Sequence, residues 1–157
     1  MIVVADTSPI NYLIVIGEIE ILTKMYGRVV IPRAVREELL RPSAPEMVRN
    51  WMSQMPVWLE VHTPLNAPDA SLAALDPGER DAIILAAELR ADQLIVDDRQ
   101  GRHEAEKRGI PVIGTLGVIR EAATLGLLDL RTAVKRLEAT SFHVAPEILK
   151  SLLKDQP

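Results

Sequence analysis

The 157-residue sequence has no cysteine. Disulfides, thiolate zinc sites and cysteine nucleophiles are therefore excluded, and a reducing compartment is compatible. It also lacks a basic field: the net charge is -4 and the pI about 5.4. That counts against a plain DNA-binding module, though not against an enzyme whose acidic site meets nucleic acid through metal ions. No apolar run is long enough to span a bilayer. The short apolar run at the N-terminus has no basic region before it, unlike a signal peptide. The expectation is a soluble, cytoplasmic protein with no membrane partner. Internal repeats and low-complexity tracts are absent as well. What remains is globular in composition, 48% hydrophobic and 25% charged, and the length suits one domain over 1–157. Its positive charge is mostly arginine, 13 Arg against 5 Lys, and arginine forks suit phosphate.

Short β-branched runs alternate with longer helical stretches. IVVA (2–5), RVVI (28–31), QLIV (93–96) and PVI (111–113) are continuously apolar, as strands buried on both faces are. VWLEVH (57–62) reads as a short edge strand. Between them lie helical segments closed by Gly17 and Gly27, others beginning at Pro32 and near Pro45, and PGERDAIILAAELRA and RQGRHEAEKRG. This order predicts an α/β fold, helices covering both faces of a mostly parallel sheet of four to five strands. Three helical segments follow the last strand, so about 129–157 forms a helical C-terminal extension. The loop 62–71, with two prolines, reads as the most mobile connection.

Acidic residues fall in a pattern. IVVAD and LIVDD each end a strand on aspartate, so Asp6 and Asp97–Asp98 emerge at one edge of a parallel sheet, where α/β proteins place their chemistry. Glu79 and Asp81 lie in the first turn of the helix before the third main strand, and Glu37–Glu38 in the helix after the second. Each has a plainer reading. Ser8 caps a helix starting at Pro9 with Asp6 in the approach; Asp76 and Glu79 form a capping box; Asp97 or Asp98 caps the next helix; Glu37 sits on a solvated face. Jointly, carboxylates crowded at one sheet edge repel one another unless a cation is present. Oxygen donors without cysteine or paired histidines select Mg²⁺ or Mn²⁺ over zinc. Such an ion activates water and steadies the leaving oxygen of a phosphodiester.

DTSP, IPRAVREEL, LDPGERDAIILA, LIVDD and VIGTLGVI, in that order, resemble the PIN-domain family, in particular the prokaryotic branch of VapC-like toxin nucleases and stand-alone relatives. The resemblance runs from Met1 to about Leu128. It implies a PIN-like α/β/α sandwich and a metal-dependent ribonuclease. Asp6, Glu38, Glu79, Asp81 and Asp98 are then the acidic metal ligands, with Asp97 a supporting partner of Asp98. Thr7 or Ser8 supplies the hydroxyl that orients Asp6 or a metal-bound water. Glu79 and Asp81 point about 200° apart on a helix, so both do not bind one ion directly. The resemblance also admits the toxin of a toxin–antitoxin pair, with a cognate antitoxin as partner, and a homodimer.

The expected reaction is cleavage of single-stranded or loop RNA by metal-activated water, leaving a 3′-hydroxyl and a 5′-phosphate. No histidine pair or lysine is placed to deprotonate a ribose 2′-hydroxyl. Arg99, Arg102 and Arg33 are the substrate-binding candidates nearest in sequence. A non-catalytic PIN-like binding or regulatory protein is the alternative. A Mg²⁺-binding phosphoacceptor domain fits less well, because no lysine follows VIG. A dehalogenase-type phosphatase needs a second aspartate where Ser8 stands.

Overall fold

The computed structural model describes residues 1–154. The apolar runs form five short strands: β1 (Val3–Ala5), β2 (Val29–Pro32), β3 (Leu59–His62), β4 (Gln93–Ile95) and β5 (Val112–Ile113). They make one sheet in the order β3-β2-β1-β4-β5, and every neighbouring pair is parallel. The fold class is thus the α/β sandwich expected, with 57–62 narrowed to the edge strand β3. The chain builds outward from β1 through β2 to β3, then restarts on the other flank of β1 with β4. That reversal opens a crevice at the carboxyl ends of β1 and β4.

Alternation along the strands divides the core in two. Val3, Ala5, Val29, Ile31 and Ile95 face one side; Val4, Val30, Leu94 and Val96 face the other. The first side is covered by α1 (Thr7–Val15), α2 (Ile21–Tyr26), α3 (Arg33–Leu39), α4 (Glu46–Met52), α7 (Thr115–Thr124) and α8 (Leu130–Glu138). The second is covered by α5 (Pro77–Glu88) and α6 (Arg99–Lys107). Gly27 closes α2 at φ +79, a left-handed conformation that a side chain would strain.

Two expectations change in detail. The C-terminal helices are not all an appendage, because Leu130, Ala133, Val134 and Leu137 of α8 are buried in the same core as β1 and β2. Only α9 (Pro146–Leu153) has no buried residue. Second, the 62–71 loop, largely exposed, has an anchor at its middle. The Glu88 carboxylate accepts from the backbone N–H of Leu65 at 2.7 Å and of Asn66 at 2.8 Å. Just beyond, Leu72 and Leu75 are buried in the second core. No helix among the described residues is long and apolar enough to cross a membrane.

Candidate active site

Asp6 follows β1, and its backbone N–H donates to Ile95 O of β4 at 2.9 Å, so it stands at the crevice. It occupies the position before α1, yet its side chain makes no capping bond. Ser8 is no cap either. Helix α1 begins at Thr7, and the Ser8 hydroxyl donates to Asp97 Oδ2 at 3.0 Å, 89 residues away in sequence. Asp6 is 4% exposed, and its Oδ1 is buried without a hydrogen-bond partner. Burial pushes its carboxyl up to about 7; the Thr7 backbone N–H opposes this, while the charges of Asp76, Glu38 and Asp97 reinforce it.

Glu38 reaches the same place from α3. Thr7 Oγ1 donates to Glu38 Oε2 at 2.5 Å, so Thr7 orients Glu38 rather than Asp6. Glu37, one residue earlier, is exposed as expected. The close approach of α5 explains Gly78. A Cβ there would stand 2.8 Å from Glu38 Oε2, 3.2 Å from Thr7 Oγ1 and 3.3 Å from Asp6 Oδ1. Asp76 caps α5 by accepting from the Glu79 N–H at 2.9 Å, which leaves the Glu79 side chain free. Partial burial pushes its carboxyl up to about 8, followed by the charges of Asp76, Asp6, Asp98 and Glu38. Asp6, Thr7, Glu38, Asp76 and Glu79, with Ser8, Asn11 and Tyr12, line a cleft of about 240 Å³.

The Asp97–Asp98 pair divides differently from expectation. Val96 points into the second core, so Asp97 emerges on the α1 and α7 side. There it accepts from Thr115 N at 2.7 Å, Thr115 Oγ1 at 2.6 Å and Ser8. Asp98 is exposed and caps α6, accepting from Gly101 N at 3.1 Å. Neither lines the cleft; Asp97 acts on Asp6 and Asp98 on Glu79 through charge. Asp81 lies outside the cleft and meets Arg80 Nε at 3.2 Å, turned away by the two-residue step along α5. Arg99 and Arg102 line a neighbouring depression with Asp97, His103 and Glu106. Arg33, exposed at the start of α3, lines neither.

Sequence reasoning passed over Asn11, Tyr12 and Thr115, and took Asp76 for a cap alone. Asn11 and Tyr12 could have been found at i+4 from Thr7 and Ser8 on one helical face. Thr115 follows a strand end as Asp6 does.

The donors are oxygens throughout, and Asp6 Oδ1 is buried without a partner, so the residues fit a hard cation. Among the described residues, no three acidic or histidine side chains stand at the spacing of a closed metal cage. An ion that keeps several waters and takes one or two carboxylates suits such a loose ring, as Mg²⁺ does.

A family model described as a PIN domain matches residues 2–156. The fold is also similar to a solved PilT N-terminus domain protein from the hyperthermophilic archaeon Sulfolobus solfataricus. The TM-score is 0.55 at 19% identity, covering 92% of this chain and 100% of that one. No curated protein matches the chain.

Proposed function

From the premise that the chain belongs to the PIN-domain family, whose members are generally metal-dependent nucleases, we propose that the acidic cleft is the site of a Mg²⁺- or Mn²⁺-dependent endoribonuclease. The supporting observation is Asp6: a buried carboxylate with an unpartnered oxygen, facing Glu38 and Glu79 at the switch point of the sheet. One or two of Asp6, Glu38 and Glu79 would hold the ion directly, and the rest through its waters. When bound, it would offset the charge of the phosphate and lower the pKa of an attacking water.

The chain's own residues supply the rest. Thr7 fixes the Glu38 carboxylate, and Ser8 and Thr115 fix Asp97. Burial and neighbouring carboxylates push Asp6 up to about 7 and Glu79 up to about 8, and a bound cation would favour their charged forms. Arg99 and Arg102 offer guanidinium forks to a neighbouring phosphate; an acidic surface repels duplex backbone, so affinity has to come from such local arginines, and the substrate we propose is single-stranded or loop RNA. Among the described residues no histidine or lysine lines the cleft, which favours attack by water over attack by a ribose 2′-hydroxyl. The products are then a 3′-hydroxyl and a 5′-phosphate. An antitoxin partner, a homodimer and a cytoplasmic setting belong to the same proposal, and the gene immediately upstream is where an antitoxin would be encoded.

End-labelled RNA incubated with the protein and Mg²⁺ or Mn²⁺ tests this. Cutting is expected, blocked by EDTA and absent in Asp6→Asn. Cyclic phosphate ends would overturn the mechanism. RNA bound but never cut would make the protein a non-catalytic scaffold.

A further inference from the structure

The chain holds two Trp, two Tyr and one Phe. Trp51 and Trp58 lie with ring centroids 6.0 Å apart, tilted by 56°, and pack against the first core. Tyr26 donates its hydroxyl to Glu121 at 3.1 Å. The other two, Tyr12 and Phe142, meet beside the carboxylates. Tyr12 stands four residues beyond Ser8 on α1, and both side chains line the acidic cleft.

Two contacts from another part of the chain hold the Tyr12 ring. Phe142 meets it edge-to-face, with centroids 5.0 Å apart at 82°. The Tyr12 hydroxyl and Ser141 Oγ are 2.8 Å apart. Both partners belong to the segment joining α8 to α9. A T-shaped pair engages at most one face of either ring; Tyr12 also packs partly against the first core, so what it offers the cleft is the remaining part of its ring. Tyr12 is only half-buried. An aromatic ring locked in place, bordering a cleft that repels duplex backbone, has the character of a stacking surface for an unpaired base. Asn11, at the same cleft, carries an amide able both to donate to and accept from a base edge.

We propose that Tyr12 is a nucleobase platform. One unpaired base of a single-stranded RNA stacks on its ring while the adjoining phosphate enters the carboxylate cleft, and Phe142 and Ser141 act as positioning residues that hold the ring. The proposal rests on the reading above that the cleft takes RNA.

Fluorescence anisotropy of a short single-stranded RNA tests it, in an Asp6→Asn background to prevent turnover. The same RNA carrying one abasic nucleotide, moved along its length, is compared. Tyr12→Ala weakens binding about tenfold, within the range of base–aromatic stacking, and Tyr12→Phe, which keeps the ring and loses only the Ser141 contact, restores most of it. The abasic nucleotide at one position costs the wild-type ring the same factor and costs Tyr12→Ala nothing further. In the cleaving protein, Tyr12→Ala raises KM with kcat little changed. Phe142→Ala shows a part of the same base-dependent loss. Circular dichroism confirms that each variant is folded; if Tyr12→Ala is not, Tyr12→Phe and Phe142→Ala with the abasic series carry the decision. A clip that merely pins the C-terminal segment would lower Tm without any dependence on the missing base, and that result overturns the proposal. Base-dependent binding without cleavage keeps the platform and defeats the nuclease reading. Cleavage indifferent to Tyr12 and to every abasic position does the reverse. No binding of single-stranded RNA defeats both.

Discussion

Asp6 and Glu104 are almost equally buried, 4% and 7% exposed, yet the protein treats them in opposite ways. Glu104 lies on α6 within reach of cations. Arg108 Nη1 donates to its Oε2 at 2.9 Å, and Lys107 Nζ lies 3.3 Å from Oε1. Bonding to Arg108 holds its carboxyl below the usual range. The other fork of Arg108 reaches Asp69 at 3.0 Å and Ser71 at 2.7 Å. Asp69 is held down to about 2, first by Ser71 and then by Arg108. Among the described residues no cation pairs with Asp6: beyond the Thr7 N–H its charged neighbours are other carboxylates, and its pKa rises to about 7. Burial alone therefore does not set the charge state; the donors facing the buried group do. Where they are supplied the cluster is a latch joining the 63–75 segment to α6. Where they are missing, the carboxylates are left to be neutralised by protons or by the cation proposed above.

Exchanging the two carboxylates for neutral amides should break the comparison most visibly. Asp6→Asn is expected to abolish RNA cleavage and, without metal at pH 8, to raise Tm, because it removes an uncompensated buried charge. Glu104→Gln should lower Tm and leave cleavage near wild type. Added Mn²⁺ should stabilise the wild type by about 3 kcal/mol at a hundredfold excess over its Kd. The same addition should do little for Asp6→Asn and should act on Glu104→Gln as on the wild type. Parallel melting curves with Mn²⁺ and EDTA read all of this. An equal response of Asp6→Asn to Mn²⁺ would remove Asp6 from the ion's ligands.

The same contrast appears as a pH dependence of opposite sign. The Asp6 carboxyl is raised from 3.8 to about 7 on folding. Its contribution to stability is fully present below 3.8 and is lost as pH rises through 7, by on the order of 4 kcal/mol. Glu79, raised to about 8, extends that loss upward, with a smaller weight because it is partly solvated. Asp69 is lowered to about 2, so its contribution is present above 3.8 and disappears as pH falls through 2. Metal-free protein should therefore melt lower at pH 9 than at pH 5, and Asp6→Asn should flatten that slope. Asp69→Asn should leave the slope intact and soften the decline below pH 4. If the alkaline slope survives in an Asp6→Asn, Glu79→Gln double variant, its origin lies elsewhere.

Much of this layout could be read before any coordinates. Buried strands announce themselves as unbroken apolar runs, and an aspartate ending two of them places Asp6 and Asp97–Asp98 at one sheet edge. The errors concern partners distant in sequence. A serine before a proline looks like a helix cap until Asp97, 89 residues on, takes its hydroxyl. The choice between Asp97 and Asp98 turns on Val96 filling the second core and on Thr115 arriving from beyond β5. No local pattern carries either fact. Asp76 was legible as a cap because capping is local, while its charge on Asp6 depends on how α5 meets β1.

The smallest expected effect separates Asp81 from Glu79. Both stand near the start of α5, and both belong to the family-like block LDPGERDAIILA. A two-residue step along a helix turns the side chain by about 200°. Only Glu79 lies in the cleft; Asp81 leans on Arg80 at 3.2 Å, a pair in which both side chains keep some exposure. Such a partly solvated pair contributes about 1 kcal/mol or less. Asp81→Asn should therefore shift Tm by no more than a few degrees and leave the rate of RNA cleavage within about twofold of wild type, since the changed group touches none of the cleft. Glu79→Gln should lower that rate by about a hundredfold or more, the scale on which losing a group that steadies transition-state charge is felt. Single-turnover cleavage by the two variants side by side decides between them. A loss in Asp81→Asn as deep as in Glu79→Gln would mean that α5 turns about its axis when RNA and metal are bound, bringing the second carboxylate into the cleft.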